Sequence, residues 1–237
     1  MEQQKQAVRI QTSVLNGIEK KTLVWMAQRL PKWVTSDFLT FLGVLGAVIA
    51  SAGYVLSNYN ILYLWIATGG ILLNWFGDSL DGTVARVRNT QRPIYGYFLD
   101  HNIDGMTLAV VCVGAGFSSM LNLAVSMSVF GAYMLMTVFT YINTHLRGDF
   151  RLTYGKMGPT EFRLIIVIIN TLVMYVPYIR NYNYHFTVYG TDVVFSMFDF
   201  MALGVTAILL IIYIVVFCID LKKYSKMDPL DKTQKND

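Results

Sequence analysis

Six stretches of about twenty largely apolar residues fill most of this 237-residue chain, and no other feature limits its fold as tightly. They run approximately over 38–57, 60–77, 97–118, 121–143, 162–179 and 196–218. Lipid offers no partner for a backbone N–H or C=O, so a segment of that length crosses a bilayer as a helix that satisfies its own amides. A mean hydropathy of +0.45 agrees, being well above what a water-soluble domain tolerates. The expected fold class is an all-α integral membrane protein with six transmembrane helices.

The basic residues orient those helices. Of the 19 Lys and Arg, 18 precede the first span, lie between the second and third, lie between or just inside the fourth and fifth, or follow the sixth. Only Arg180 falls on the other side. Both termini are therefore expected in the cytoplasm. The net charge of +4 reads as topology plus affinity for anionic membrane lipids, and nucleic acid is not an expected partner. Within residues 1–37, Val14, Leu15, Ile18, Leu23, Val24, Met26 and Leu30 recur at near-helical spacing among Lys and Arg. An amphipathic helix on the cytoplasmic surface follows, ahead of a membrane domain over 38–218 and a polar tail over 219–237 expected to be disordered. The first 35 residues lack the unbroken apolar core of a cleavable signal. Cys112 and Cys218 fall inside spans and read as small buried apolar side chains.

One stretch sits awkwardly in so apolar a chain. Residues 78–104 read DSLDGTVARVRNTQRPIYGYFLDHNID and place Asp78, Asp81, Asp100 and Asp104 where the second and third spans nearly meet. Asp78 and Asp81 are three apart and Asp100 and Asp104 four apart, so each pair shares one face if it lies on a helix. Two carboxylates about 4 Å apart repel by roughly 4 kcal/mol at an effective dielectric of about 20. Four need counter-charge, and oxygen-only ligands favour Mg²⁺ or Mn²⁺ over zinc. Two such ions a few ångströms apart are the arrangement that clamps attacking and leaving oxygens in phosphoryl transfer. Gly82 and Ala85 remove bulk from the same stretch, Arg86 offers a planar fork for phosphate, and Gly96 thins the facing segment.

The pattern Asp-x2-Asp-Gly-x2-Ala-Arg, nine residues, Gly-x3-Asp-x3-Asp resembles the signature of the CDP-alcohol phosphotransferase family. Asp78, Asp81, Gly82, Ala85, Arg86, Gly96, Asp100 and Asp104 fill its eight fixed positions. The resemblance extends to the six-span layout and the preceding surface helix. It implies a phospholipid-synthesis enzyme that moves a substituted phosphoryl group from a CDP-alcohol to a second alcohol, releasing CMP. It further implies two ions held by the four aspartates, Asp104 as the base for the attacking hydroxyl, and a homodimer. TSDFLT at residues 35–40 stands where many members have a Pro-Asn pair, so no role is carried onto it.

Around the motif, His101 is a candidate to tune a carboxylate or shuttle a proton. Arg147, Arg151, Lys156 and Arg163 would suit an anionic acceptor, and Glu161 with Arg163 suggests an ion pair facing the site. The favoured substrates are CDP-diacylglycerol and a small polar acceptor such as inositol, inositol phosphate or glycerol phosphate. Asp100-His101 with Asp104, together with Gly158-Pro159-Thr160-Glu161, also resembles the choline/ethanolamine phosphotransferases, which pair a CDP-amino-alcohol with a lipid alcohol. A divalent-cation transporter would need acids near the middle of several spans, and the fourth and sixth nearly lack them. Asp37, Asp192 and Asp199 have no acidic neighbour at helical spacing and read as helix-capping or loop residues.

Overall fold

A computed structural model describes residues 8–10, 16–147, 149–151, 159–188 and 191–229. After a short strand β1 (Val8–Ile10) come the helices α1 (Asn16–Arg29), α2 (Ser36–Leu56), α3 (Leu64–Val87), α4 (Pro93–Gly116) and α5 (Leu123–Arg147). Strand β2 (Asp149–Arg151) pairs in parallel with β1. Then follow α6 (Pro159–Tyr175), the single turn α7 (Pro177–Arg180), a hairpin of β3 (Asn183–Val188) and β4 (Thr191–Ser196), and α8 (Met197–Met227). The six expected spans thus correspond to six long helices. Three of them, α2, α5 and α8, are long and apolar enough by themselves to cross a membrane. The other three depart for visible reasons: α3 and α4 carry the four aspartates, and α6, 17 residues long, ends before Val176–Pro177. Proline cannot donate a helical hydrogen bond, which breaks the expected 162–179 segment at that point.

A seam of small residues joins α2 to α3. Gly43, Gly46, Ala50 and Gly53 on α2 face Ala67, Gly70, Asn74 and Gly77 on α3 at alternating three- and four-residue spacing. A Cβ on Gly46 would collide with the Asn74 backbone, and one on Gly77 with the backbone of Leu39 and Gly43. The two backbones therefore touch, as small-residue seams permit in membrane helices. A polar knot then ties in α6. Asn170, 1% exposed, donates to the Thr68 hydroxyl at 3.1 Å and accepts from the Tyr54 hydroxyl at 3.2 Å.

The first helix packs on α3 rather than standing apart. Leu23 and Ala27 form one cluster with Val34, Leu39, Leu80 and Val84. Of the apolar residues expected along this helix, Val14 and Leu15 lie outside the described residues, as does the side chain of Ile18.

The architecture is consistent with the expected all-α membrane protein; within it the β3–β4 hairpin sets Tyr184, Phe186 and Phe195 on one face, within ring contact of Phe200 on α8. Two further expectations change. The polar tail is helical through Met227, because α8 continues past the expected end at residue 218; residues 230–237 lie outside the described residues. Both cysteines are free thiols, Cys112 buried and Cys218 exposed on α8 rather than buried. The isolated aspartates behave as structural residues. Asp199 closes a capping box with Ser196 and accepts from Asn122, Asp192 accepts from Thr187, and Asp37 pairs with Arg92 at 3.6 Å.

Candidate active site

The four motif aspartates lie on two helices joined by a tight turn. Helix α3 runs on to Val87, so Asp78 and Asp81 belong to it, and Asp100 and Asp104 lie in the first half of α4. Asn89 ends α3 with φ of 55°, a left-handed conformation that asparagine tolerates. The Thr90 amide donates to the Ala85 carbonyl and the Asn89 amide to that of Arg86, which completes a Schellman cap. Pro93 then opens α4, where its missing N–H costs nothing.

This turn folds the pairs toward each other. Carboxylate oxygens of Asp78, Asp100 and Asp104 lie within 4.8 Å of one another, each residue half-buried, in a cleft also lined by Thr40, Asn74, Asp81 and Thr107. Three of the four expected ligands therefore converge into a group that could hold a metal ion. Asp81 lines the same cleft but is 8% exposed and already engaged. Its Oδ2 accepts from the Thr40 hydroxyl at 2.7 Å and its Oδ1 from the Gly82 amide. Ser36 donates to the Asp81 carbonyl oxygen at 3.0 Å. The segment at 35–40, given no role from its sequence, thus holds the buried aspartate of the motif from across the α2–α3 seam.

Positive charge enters from α6. The Arg163 guanidinium donates through Nη2 to Asp78 Oδ2 at 2.7 Å, an ion pair that offsets part of the crowded charge. Glu161, half-buried in the first turn of α6, lies two residues before it. Lys156 lies outside the described residues, as do the side chains of Arg147 and Arg151.

The remaining motif residues line the outer side of α3 and α4. The Arg86 side chain lies across Gly82, where a Cβ would sit 3.4 Å from its Nη1, and its Nη2 donates to the Thr83 hydroxyl at 2.9 Å. Ala85 is half-buried beside it. Gly96 is exposed, and a Cβ there would meet open space. Neither Gly82 nor Gly96 is needed for helix packing, unlike the glycines of the α2–α3 seam. His101 stands 3.7 Å from Asp100 through Nδ1 and is in ring contact with Tyr97, at 4.0 Å, and Tyr141, at 5.1 Å. Sequence reasoning missed both tyrosines, Thr40 and Asn74; a polar residue in an apolar span was the only signal for the last two.

This arrangement can gather cations around a polyanionic ligand and leave a carboxylate free to take a proton. Known proteins give the same direction. A family model described as CDP-alcohol phosphatidyltransferase matches residues 33–219, and the chain belongs to that family. Human cholinephosphotransferase 1 is 28% identical over 159 residues, 62% of this chain but 38% of that protein. The archaetidylinositol phosphate synthase of Pyrococcus horikoshii is 29% identical over 140 residues, 59% of this chain and 70% of that one. Its counterpart in Methanothermobacter thermautotrophicus is 35% identical over 92 residues, 37% and 43% of the two chains.

Proposed function

We propose that this member of the CDP-alcohol phosphatidyltransferase family transfers a substituted phosphoryl group from a CDP-alcohol to a second alcohol at the cleft between α3 and α4. The convergence of Asp78, Asp100 and Asp104 carries the reading. An all-oxygen donor set of this kind fits Mg²⁺ or Mn²⁺, and Asp78, Asp81, Asp100 and Asp104 would hold two such ions. When bound, the ions neutralise the diphosphate and stabilise its developing charge. Gly82, Ala85, Arg86 and Gly96 form the wall for the nucleotide. Asp104 takes the proton of the acceptor hydroxyl as its oxygen attacks phosphorus; the bond from phosphorus to the CMP oxygen breaks and CMP leaves. His101, held by two tyrosine rings against Asp100, is the next candidate for moving that proton.

CDP-diacylglycerol with inositol, inositol phosphate or glycerol phosphate is the favoured pair. The name of the Pyrococcus relative, which this chain covers over most of its length, specifies an inositol phosphate lipid. Arg147, Arg151, Lys156 and Arg163 would suit an anionic acceptor. The human cholinephosphotransferase match supports a second reading with a CDP-amino-alcohol donor and a lipid alcohol acceptor. The enzyme works as a homodimer with six membrane spans, its surface helix, termini and cleft at the cytoplasmic face.

Incubating purified protein with labelled CDP-diacylglycerol or CDP-ethanolamine and a panel of acceptors decides between the readings. The favoured one expects CMP release from CDP-diacylglycerol with a polar acceptor, abolished by chelator and restored by Mg²⁺ or Mn²⁺. Full turnover in excess chelator refutes the two-metal site.

A further inference from the structure

Helix α1 touches the cleft indirectly, through the start of α6. Glu19 accepts a hydrogen bond on Oε1 from the Thr160 hydroxyl at 2.5 Å, and the Trp75 indole Nε1–H donates to the same hydroxyl oxygen at 3.3 Å. Thr160 lies three residues before Arg163 on α6, and Trp75 three before Asp78 on α3. Arg163 and Asp78 are themselves joined at 2.7 Å. Side chains from three helices thus close a circuit that ends on one carboxylate of the cluster. Its polarity is fixed: the one Thr160 proton goes to Glu19, and the oxygen's lone pair receives the indole N–H. The far end of α1 is anchored too. The Arg88 guanidinium, at the end of α3, donates to the carbonyl oxygens of Leu30, Pro31 and Val34 at 2.8, 3.0 and 2.6 Å. With Leu23 and Ala27 packed on Leu80 and Val84, α1 is tied along the motif segment of α3, and Glu19 is a fixed point from which α6 is held.

We infer that Glu19 and Thr160 are positioning residues for the reaction: α1 sets the first turn of α6, and so the direction from which Arg163 orients Asp78. The inference rests on reading the cluster as a metal centre for phosphoryl transfer. Groups that orient a ligand from behind change metal affinity by about 10–100-fold when removed. Glu19 and Thr160 lie outside the eight-residue signature, so their effect is separable from loss of a ligand.

The test uses the whole chain in detergent with Glu19→Ala, Thr160→Val, their double variant and the conservative Thr160→Ser. Hydrogen–deuterium exchange over residues 160–166 needs neither ion nor substrate, and Mn²⁺ binding is followed by electron paramagnetic resonance. Both single variants are expected to raise exchange in the first turns of α6 and to weaken Mn²⁺ binding about tenfold. The double variant should do no worse than the more affected single, because the two residues share one bond. Thr160→Ser should match the unsubstituted chain, and Trp75→Phe, which removes only an N–H donor, should give a smaller change in the same direction. Unchanged exchange and Mn²⁺ affinity in Thr160→Val, or full additivity in the double variant, overturns the inference. Absence of Mn²⁺ binding in the unsubstituted chain would instead sink the metal reading, with the exchange measurement still deciding whether Glu19 holds α6.

Discussion

Asp81 and Asp104 are both motif carboxylates, yet their surroundings differ. Asp81 is buried and accepts from Thr40 and Gly82, whereas Asp104 joins the open cluster with Asp78 and Asp100. Asp104→Asn should keep the fold and part of the donor affinity while turnover falls by about 10²–10⁴, the usual worth of a general base. Single-turnover rates beside donor titration check this, and a folded variant that transfers near normally would pass the role to His101. Thr40→Val keeps the side-chain shape but removes the hydroxyl, leaving Asp81 short of a partner. A loss of about 1.5–3 kcal/mol is expected, read as a lower melting temperature. The aspartates were legible from sequence because i, i+3 and i, i+4 spacing is local. Thr40 was not, because its partner is 41 residues away and only the folded α2–α3 seam brings them together.

At the scale of elements, the same glycine residue type does two jobs, which a pair of substitutions should separate. Gly77→Ala forces a Cβ into the backbone of Leu39 and Gly43, and two backbones cannot yield as a flexible side chain can. Overpacking of this kind costs about 1–3 kcal/mol, so thermal stability should fall, and activity with it as the α2–α3 seam opens and Asp81 moves off Thr40. Gly96→Ala meets open space, so its melting temperature should hold while the apparent Michaelis constant for the CDP donor rises. A Gly96→Ala protein with unchanged donor kinetics would remove Gly96 from the nucleotide wall. Hydropathy located the six long helices because each carries a long apolar run, but it could not see where each helix ends. The extension of α3 beyond residue 77 is set by a Schellman cap at Asn89, and the β3–β4 hairpin by pairing between segments too short and polar to register as spans.

Whole-molecule topology separates a six-span chain from one in which only the three most apolar helices cross. With six crossings, both termini and the Asn89 turn lie on one side, and Asn58 and Asn181 lie on the other. With crossings at α2, α5 and α8 alone, the two termini fall on opposite sides. The charge asymmetry favours six, because it leaves Arg180 as the single basic residue on the far side. The structure adds a physical reason for the low hydropathy of the other three helices. A bundle that joins Asp78 to Arg163 and Asp81 to Thr40, and threads Asn170 between Thr68 and Tyr54, can keep polar groups inside it, because each faces a partner helix. Single cysteines at Asn58, Asn89, Asn181 and the C-terminus, probed in intact cells with a membrane-impermeant maleimide, check the arrangement. Labelling is expected at positions 58 and 181 only, with 89 and the C-terminus reacting after lysis. Cys112 is buried and Cys218 sits on a lipid-length apolar helix, so neither should report. Labelling at position 89 and at the C-terminus in intact cells, with position 181 protected, would exclude the six-span arrangement and with it a cytoplasmic cleft.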